Sequence, residues 1–204
     1  MNRFPPSAGI AIGPILFVLA MLGVLAAVLS ANSGGNFGSA GTTDRVFNDI
    51  VGQANLIRSK IAECEMQYEV NGTSFAAAPC AGDPYPCSDQ ANGTLVSALT
   101  CPNDPLVGGD EQSLWIGARV ASFPPPTKGF SDWMYMNAGA DGGRCFWTAP
   151  TGGSGNSAGA EGLRRASQKF TSGELKYDNA SASQKFVIMI TQPTGAVDSH
   201  CTAP

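Results

Sequence analysis

The sequence predicts an α+β fold in which a long N-terminal helix precedes a small antiparallel sheet with disulfide-stapled loops. A charge-free apolar run fills residues 10–31, and a heptad-like apolar stripe follows in residues 44–68. Together they predict a helix with an apolar half, a Gly-rich break and an amphipathic half. Short β-type runs and six cysteines fill most of the remainder. The predicted organisation is a short leader at 1–9, the apolar helix at 10–31, a flexible link at 32–41 and an extracytoplasmic globular head domain at 42–204.

The charge balance argues against a nucleic-acid partner. The net charge is −4, with 16 Asp and Glu against 12 Lys and Arg. Binding to nucleic acid requires clustered positive charge that displaces counterions from phosphates. We therefore predict no nucleic-acid partner.

The apolar run is long enough to cross a bilayer as a helix. At about 1.5 Å per residue it would measure about 33 Å, against a hydrocarbon core of about 30 Å. Within it, Gly23 and Ala27 lie four residues apart and share a helical face, a spacing that lets another helix approach closely. The alternative is that these small residues are simply common in membrane spans.

The length of the run favours its retention in the mature protein, because the apolar region of a cleaved signal is usually about 7 to 15 residues long. An alternative is signal cleavage between Ala31 and Asn32, after a stretch that resembles a signal-peptidase site. Arg3 is the only positive charge before the run, and the next basic residue is Arg45. The positive-inside rule then places the short N-terminus in the cytoplasm and exports the body.

The link and the second helical half come next. Residues 32–41 are rich in Gly, Ser and Asn, which indicates a flexible or unwound connection. Asp44 can cap the following helix, with Thr42 or Thr43 as alternatives, and we expect the helix to end at Asn71. Its stripe consists of Phe47, Ile50, Ala54, Ile57, Ile61, Cys64 and Tyr68. One interpretation is that the stripe covers the sheet of its own domain, and a second is that the helix also packs against neighbouring subunits.

The cysteines favour disulfides over metal binding. The six are Cys64, Cys80, Cys87, Cys101, Cys145 and Cys201. They contain no C-x-x-C pair and the chain has one histidine, so a zinc site is not predicted. An even number behind an apolar N-terminal segment is typical of an oxidising compartment. Fifteen pairings are open, and we predict no cofactor and no metal.

The body is predicted as loops and short strands. Residues 71–105 read as a loop stapled by disulfides, with a short helix near 95–99. Residues 130–137 and 144–148 form a predicted hairpin, with further strands at 114–120, 174–177 and 186–191 and a short helix at 160–170. A long helix followed by such strands is an α+β arrangement.

Candidate chemistry is sparse. His200 beside Cys201 could form a nucleophilic pair, but a terminal disulfide next to an incidental histidine fits the required geometry better. Asp132, Asp141 and the adjacent Asp110 and Glu111 could bind calcium, with ordinary turn residues as the default. The aromatic residues at 130–147 are expected in the core, with a binding surface as the alternative. Sequons occur at Asn71, Asn92 and Asn179.

The order of these parts resembles that of a type IV pilin or a pseudopilin-like subunit. That family has a leader, an apolar helix that anchors the precursor in the inner membrane, an amphipathic continuation, a loop, an antiparallel sheet and a disulfide near the C-terminus. The matching parts here are residues 1–9, 10–31, 44–68, 71–105 and 114–191, with Cys201. The resemblance is one of architecture over nearly the whole chain.

The resemblance implies leader processing between Gly9 and Ile10, although Pro14 occupies the position where the family carries glutamate. It implies a non-enzymatic structural subunit that polymerises through its apolar helix into an extracellular filament. The implied partners are copies of the same chain, the inner membrane before assembly, and a pilus or secretion assembly machinery. The alternative function is a membrane-anchored or secreted disulfide-bonded binding domain that does not polymerise.

Overall fold

The computed structural model describes residues 38–71, 80, 82–88, 91–101, 112–115, 123–152, 157–181 and 183–203. The chain divides into two compact units, Met1–Gly41 and Thr42–Pro204. In the first unit, only residues 38–41 are described, and they are helical. The second unit is an α+β domain with an antiparallel sheet, which confirms the predicted fold class at that level.

Helix α1 spans Gly38–Asn71. It begins inside the segment predicted as an unwound link, so that prediction is wrong for residues 38–41, and Asp44 lies within the helix instead of capping it. Residues 32–37 lie outside the described part. Once a helix is nucleated, each added residue gains a backbone hydrogen bond, so it can extend into a stretch of weak propensity. Its inward stripe is fully buried at Ile50, Ala54, Ile57, Ile61 and Cys64, while Phe47 is half-buried against the same core.

The main sheet contains five strands in the order β1-β4-β5-β7-β6, and every neighbouring pair is antiparallel. The strands are β1 Thr94–Leu95, β4 Met134–Asn137, β5 Arg144–Thr148, β6 Leu175–Lys176 and β7 Phe186–Thr191. A separate two-stranded ribbon pairs β2 Thr100–Cys101 with β3 Gln112–Ser113. The predicted hairpin is present, because Tyr135 of β4 pairs with Phe146 of β5.

Short helices complete the fold. Helix α2 spans Gly139–Gly142 in the connection between β4 and β5, where the sequence predicts a loop, and α3 spans Ser157–Ser167. Single 3-10 turns cover Val96–Ala98 and Ser199–Cys201.

The strand predicted at residues 114–120 is wrong where the structure describes it. Leu114 and Trp115 form a buried turn after β3, and residues 116–120 lie outside the described part. The indole N–H of Trp115 donates to the Val96 carbonyl at 2.6 Å. Both side chains are therefore buried against the core. Their burial accounts for the apolar pattern, although they belong to a turn and not to a strand.

The main sheet is covered on both faces. On one side, Tyr135, Phe146 and Ile188 join the core that contains the α1 stripe. The opposite side carries a second buried cluster of Met136, Cys145, Trp147, Val187, Met189 and Cys201. Every residue of β5 is therefore buried, as expected for a strand without a solvent-facing side.

Three disulfides cross-link the domain, which confirms the prediction of disulfide bonding. They join Cys64 to Cys101, Cys80 to Cys87, and Cys145 to Cys201. The first fastens α1 to β2, and the third fastens the C-terminal turn to β5. Among the described residues, no helix combines the length and apolarity needed to cross a membrane; the apolar run at 10–31 lies outside that part of the chain.

Candidate functional site

The outward face of α1 is the candidate interaction surface. Asn48, Gly52, Asn55, Ser59, Ala62 and Met66 are all exposed. They recur in alternating steps of four and three residues, so they form one line along the helix. We call these six residues the outward stripe. None of them is charged, and Met66 remains 56% exposed.

Gly52 lies in the middle of this stripe and of the helix. A glycine inside a helix costs about 0.5–1 kcal/mol relative to alanine. A Cβ added at Gly52 would meet nothing within 4 Å. No contact inside the described domain therefore requires glycine here.

Charged residues flank the outward stripe and tie α1 to the domain. Arg58 Nη2 donates to Glu174 Oε1 at 2.6 Å, and the backbone N–H of Thr171 donates to Glu174 Oε2 at 2.9 Å. The Thr171 backbone N–H, followed by Arg58 and the Thr171 hydroxyl, lowers the pKa of the Glu174 carboxyl to about 2. An open groove of about 340 Å³ runs beside this pair, lined by Arg58, Ser59, Ala62, Glu65 and Ile190.

Polar contacts fix the rotation of α1 on the sheet. The Trp133 indole N–H donates to Gln53 Oε1 at 2.6 Å, and Gln53 Nε2 donates to the Pro125 carbonyl at 2.9 Å. Gln53 is buried, so both ends of its amide are satisfied away from solvent. The outward stripe is held outward because the opposite side of α1 is bonded in this way.

The N-terminal part of α1 crosses α3 at close range. Thr43 Oγ1 donates to the Ala158 carbonyl at 3.2 Å. A Cβ at Gly162 would lie 2.6 Å from Val46 Cγ1 and 2.8 Å from Val46 Cβ. Only glycine permits this separation of the two helices.

A buried polar cluster joins the loop closed by Cys80 and Cys87 to β5 and α1. Arg144 Nη2 donates to Asp83 Oδ2 at 2.7 Å, and the Arg144 guanidinium lies 4.3 Å from the centre of the Tyr85 ring. The Tyr85 hydroxyl bonds Glu65 of α1. Burial, followed by the bond to Glu65, raises the pKa of Tyr85.

Sequence reasoning missed this cluster. The available signal was Arg144, a charged residue that opens an otherwise apolar β-run. A buried arginine requires a carboxylate partner. The partner lies 61 residues away along the chain, in the Cys80–Cys87 loop, where no local pattern identifies it.

The structure separates the predicted site residues into two groups. Gly9, Ile10, Gly23, Ala27, Ala31 and Asn32 lie outside the described residues, as do Asp110 and Glu111. The side chain of Tyr68 is also outside them. The predicted helix-packing residues within α1 (Phe47, Ile50, Ala54, Ile57 and Ile61) face the core of their own domain.

His200 lies on the second apolar cluster. Its ring stacks on Trp147 with centroids 5.6 Å apart, and its Nδ1 lies 2.9 Å from Asp198 Oδ1. The neighbouring Cys201 is disulfide-bonded to Cys145, so its sulfur is not a free thiol beside the imidazole. This geometry matches the terminal-disulfide interpretation.

The remaining candidates are exposed carboxylates, exposed sequons and buried aromatics. Asp132 and Asp141 are exposed, and within the described ranges no group of three or more His, Cys, Asp or Glu residues could hold a metal ion. Asn92 and Asn179 are exposed in turns. The five hairpin aromatics are core residues, each at most 9% exposed: Phe130, Trp133, Tyr135, Phe146 and Trp147.

Comparison with known proteins finds no matching family model, no matching curated protein and no matching solved structure.

Proposed function

We propose that this protein is a structural subunit of an extracellular pilus-like filament and polymerises through its apolar N-terminal segment. The observation that carries the proposal is the charge-free apolar run at 10–31, placed just before a helix that lies on an antiparallel sheet. The proposed role requires no catalytic residue and no cofactor.

The physical reason is the burial of apolar surface. Removing such surface from water stabilises by roughly 25 cal/mol per Å², and soluble monomers rarely expose contiguous apolar patches above a few hundred Å². A bilayer hides the run before assembly. In a filament, the runs of many copies hide one another, and head-to-tail contacts that do not close give an open helical array.

The form of α1 supports this proposal. Its inward stripe is occupied by the sheet of its own domain, and Gln53 locks that orientation. The outward stripe remains exposed and uncharged, so a neighbouring subunit could lie against it without desolvating a charge.

The disulfides support an extracytoplasmic location. Six cysteines form three disulfides, and such bonds persist in oxidising compartments. Together with the positive-inside orientation, this favours a precursor anchored in the inner membrane and a mature subunit on the cell surface. The proposed partners are sister copies and an assembly machinery of the pilus or secretion type.

Deleting residues 10–31 tests the proposal. We expect the intact chain to form filaments visible by negative-stain electron microscopy and the deleted chain to sediment as a monomer. A control deletion of residues 34–37 leaves the apolar run complete and should still assemble. Fibres formed by the chain without residues 10–31 would contradict the proposal.

A second candidate is an anchored or secreted binding domain without polymerisation. The stretch Leu29-Ser30-Ala31 favours it, because it resembles a signal-peptidase site. N-terminal sequencing of the mature protein separates the candidates. A chain that begins at Ile10 supports the first candidate, and one that begins at Asn32 supports a secreted domain. A chain that begins at Met1 keeps the apolar run in both the filament subunit and the anchored domain, and filaments in the electron micrographs then decide between them.

A further inference from the structure

Two buried polar atoms face the same side of the sheet and have no hydrogen-bond partner within the described chain. They are the hydroxyl of Tyr135 and the Nε of Arg144. Tyr135 is fully buried and Arg144 is 9% exposed. A buried donor without a partner gives up its hydrogen bonds to water and gains none in return, which costs free energy. The structure must therefore offset this cost at the two atoms.

The two side chains are neighbours in the sheet. Tyr135 pairs with Phe146, and Asn137 pairs with Arg144. Tyr135 and Arg144 are therefore diagonal neighbours on one face, within reach of aromatic and long side chains. The charge of Arg144 acts on the Tyr135 hydroxyl and partly offsets the rise in its pKa that burial causes, which agrees with this proximity.

The charges around the pair select a neutral ligand. The guanidinium is already paired with Asp83 at 2.7 Å, and its Nη1 donates to Thr191 Oγ1 at 3.3 Å. An anion would meet the Asp83 carboxylate and a cation that is already neutralised, whereas a cation would meet an N–H donor. A molecule that both accepts and donates satisfies both atoms.

We propose that one internal water molecule bridges Arg144 Nε and the Tyr135 hydroxyl. The water accepts from Nε–H and exchanges a hydrogen bond with the hydroxyl. Buried waters of this kind typically make about three hydrogen bonds to polar groups that otherwise lack partners. The bridge joins β4 and β5 and extends the polar cluster of Asp83 and Tyr85 into the core.

The test counts long-lived internal waters in the full-length chain in detergent by ¹⁷O magnetic relaxation dispersion. We expect the Tyr135→Phe variant to hold one fewer long-lived water than the wild type. Its urea midpoint should also fall, because the water loses a partner inside the core. The matched control is Thr148→Val, which removes a buried hydroxyl that already donates to the Ser131 carbonyl at 2.8 Å and should leave the count unchanged.

A measurement on the wild type covers the case in which Tyr135→Phe does not fold. The Arg144 Hε signal should show a cross-peak to water in a rotating-frame Overhauser experiment. An unchanged water count in folded Tyr135→Phe, or an assigned Hε signal without a water cross-peak, would overturn the proposal.

Discussion

Replacing Gly162 with alanine should loosen the crossing of α1 and α3. The new Cβ would lie 2.8 Å from Val46 Cβ and 3.1 Å from the Thr43 carbonyl oxygen. Carbon atoms in contact normally lie about 3.5–4.0 Å apart. Val46 Cβ is fixed to its backbone, so side-chain rotation cannot relieve this contact, and the helices must separate by about 1 Å.

The expected cost is about 2 kcal/mol. Overpacking in a core typically costs about 1–3 kcal/mol, and contacts fixed to backbone belong at the upper end. Alanine returns up to about 1 kcal/mol through its higher helix propensity. For a domain of this size, about 1 kcal/mol shifts the melting temperature by about 2–4 °C, so we expect a fall of about 4–8 °C.

Thermal unfolding followed by far-ultraviolet circular dichroism measures this fall on the full-length chain in detergent. The matched control is Gly52→Ala, where the added Cβ meets nothing within 4 Å, so only the propensity gain of about 0.5–1 kcal/mol applies. The two variants should therefore shift the melting temperature in opposite directions. A melting temperature that is unchanged or raised in Gly162→Ala would refute the close packing inferred at this crossing.

Three further predictions concern charge and cross-linking. The pKa of Glu174 falls from 4.5 to about 2 on folding. Its contribution to stability is therefore complete above about pH 4.5 and is lost as the pH falls toward 2. Glu174→Gln should flatten the dependence of the urea midpoint on pH in that window, and an unaltered slope would contradict this prediction. Asp83→Ala leaves the buried guanidinium of Arg144 unpaired and should lower the free energy of unfolding by about 3–5 kcal/mol, measured by urea denaturation; a loss below about 1 kcal/mol would show that the pair is solvated. Replacing Cys145 and Cys201 together by alanine opens a loop with a sequence separation of 56 and should lower the free energy of unfolding by about 4 kcal/mol. Calorimetry at fixed protein concentration measures this loss. Unchanged stability would show that the disulfide does not constrain the unfolded chain.

Local patterns identified the strands whose residues are buried on both faces. The runs at 144–148 and 186–191 coincide with β5 and β7, because aromatic and β-branched residues bounded by glycine and polar turns are typical of buried strands. The stripe of α1 was equally clear, since its apolar residues recur at helical spacing. These elements could be predicted because their buried residues are apolar and recur at the spacing of a strand or a helix.

Long-range pairing could not be predicted in the same way. The disulfide partners follow from the folded positions of α1, β2 and β5, and fifteen pairings satisfy the sequence alone. The bonds of Arg144 to Asp83 and of Trp133 to Gln53 span 61 and 80 residues, so no local window contains both partners. The apolar residues Leu114 and Trp115 misled the prediction because a buried turn and a strand leave the same short apolar pattern.

The cross-links also determine how much of the domain can lengthen under a pull. If tension at the start of α1 detaches that helix from the sheet, the Cys64–Cys101 bond stops the detachment at Cys64. The residues between these two cysteines then carry no tension and do not extend. The Cys145–Cys201 bond likewise prevents the residues between Cys145 and Cys201 from extending. Beyond the peeled helix, the main extensible stretch is then residues 101–145, about 150 Å at full extension. The oxidised domain therefore has a defined maximum length under tension.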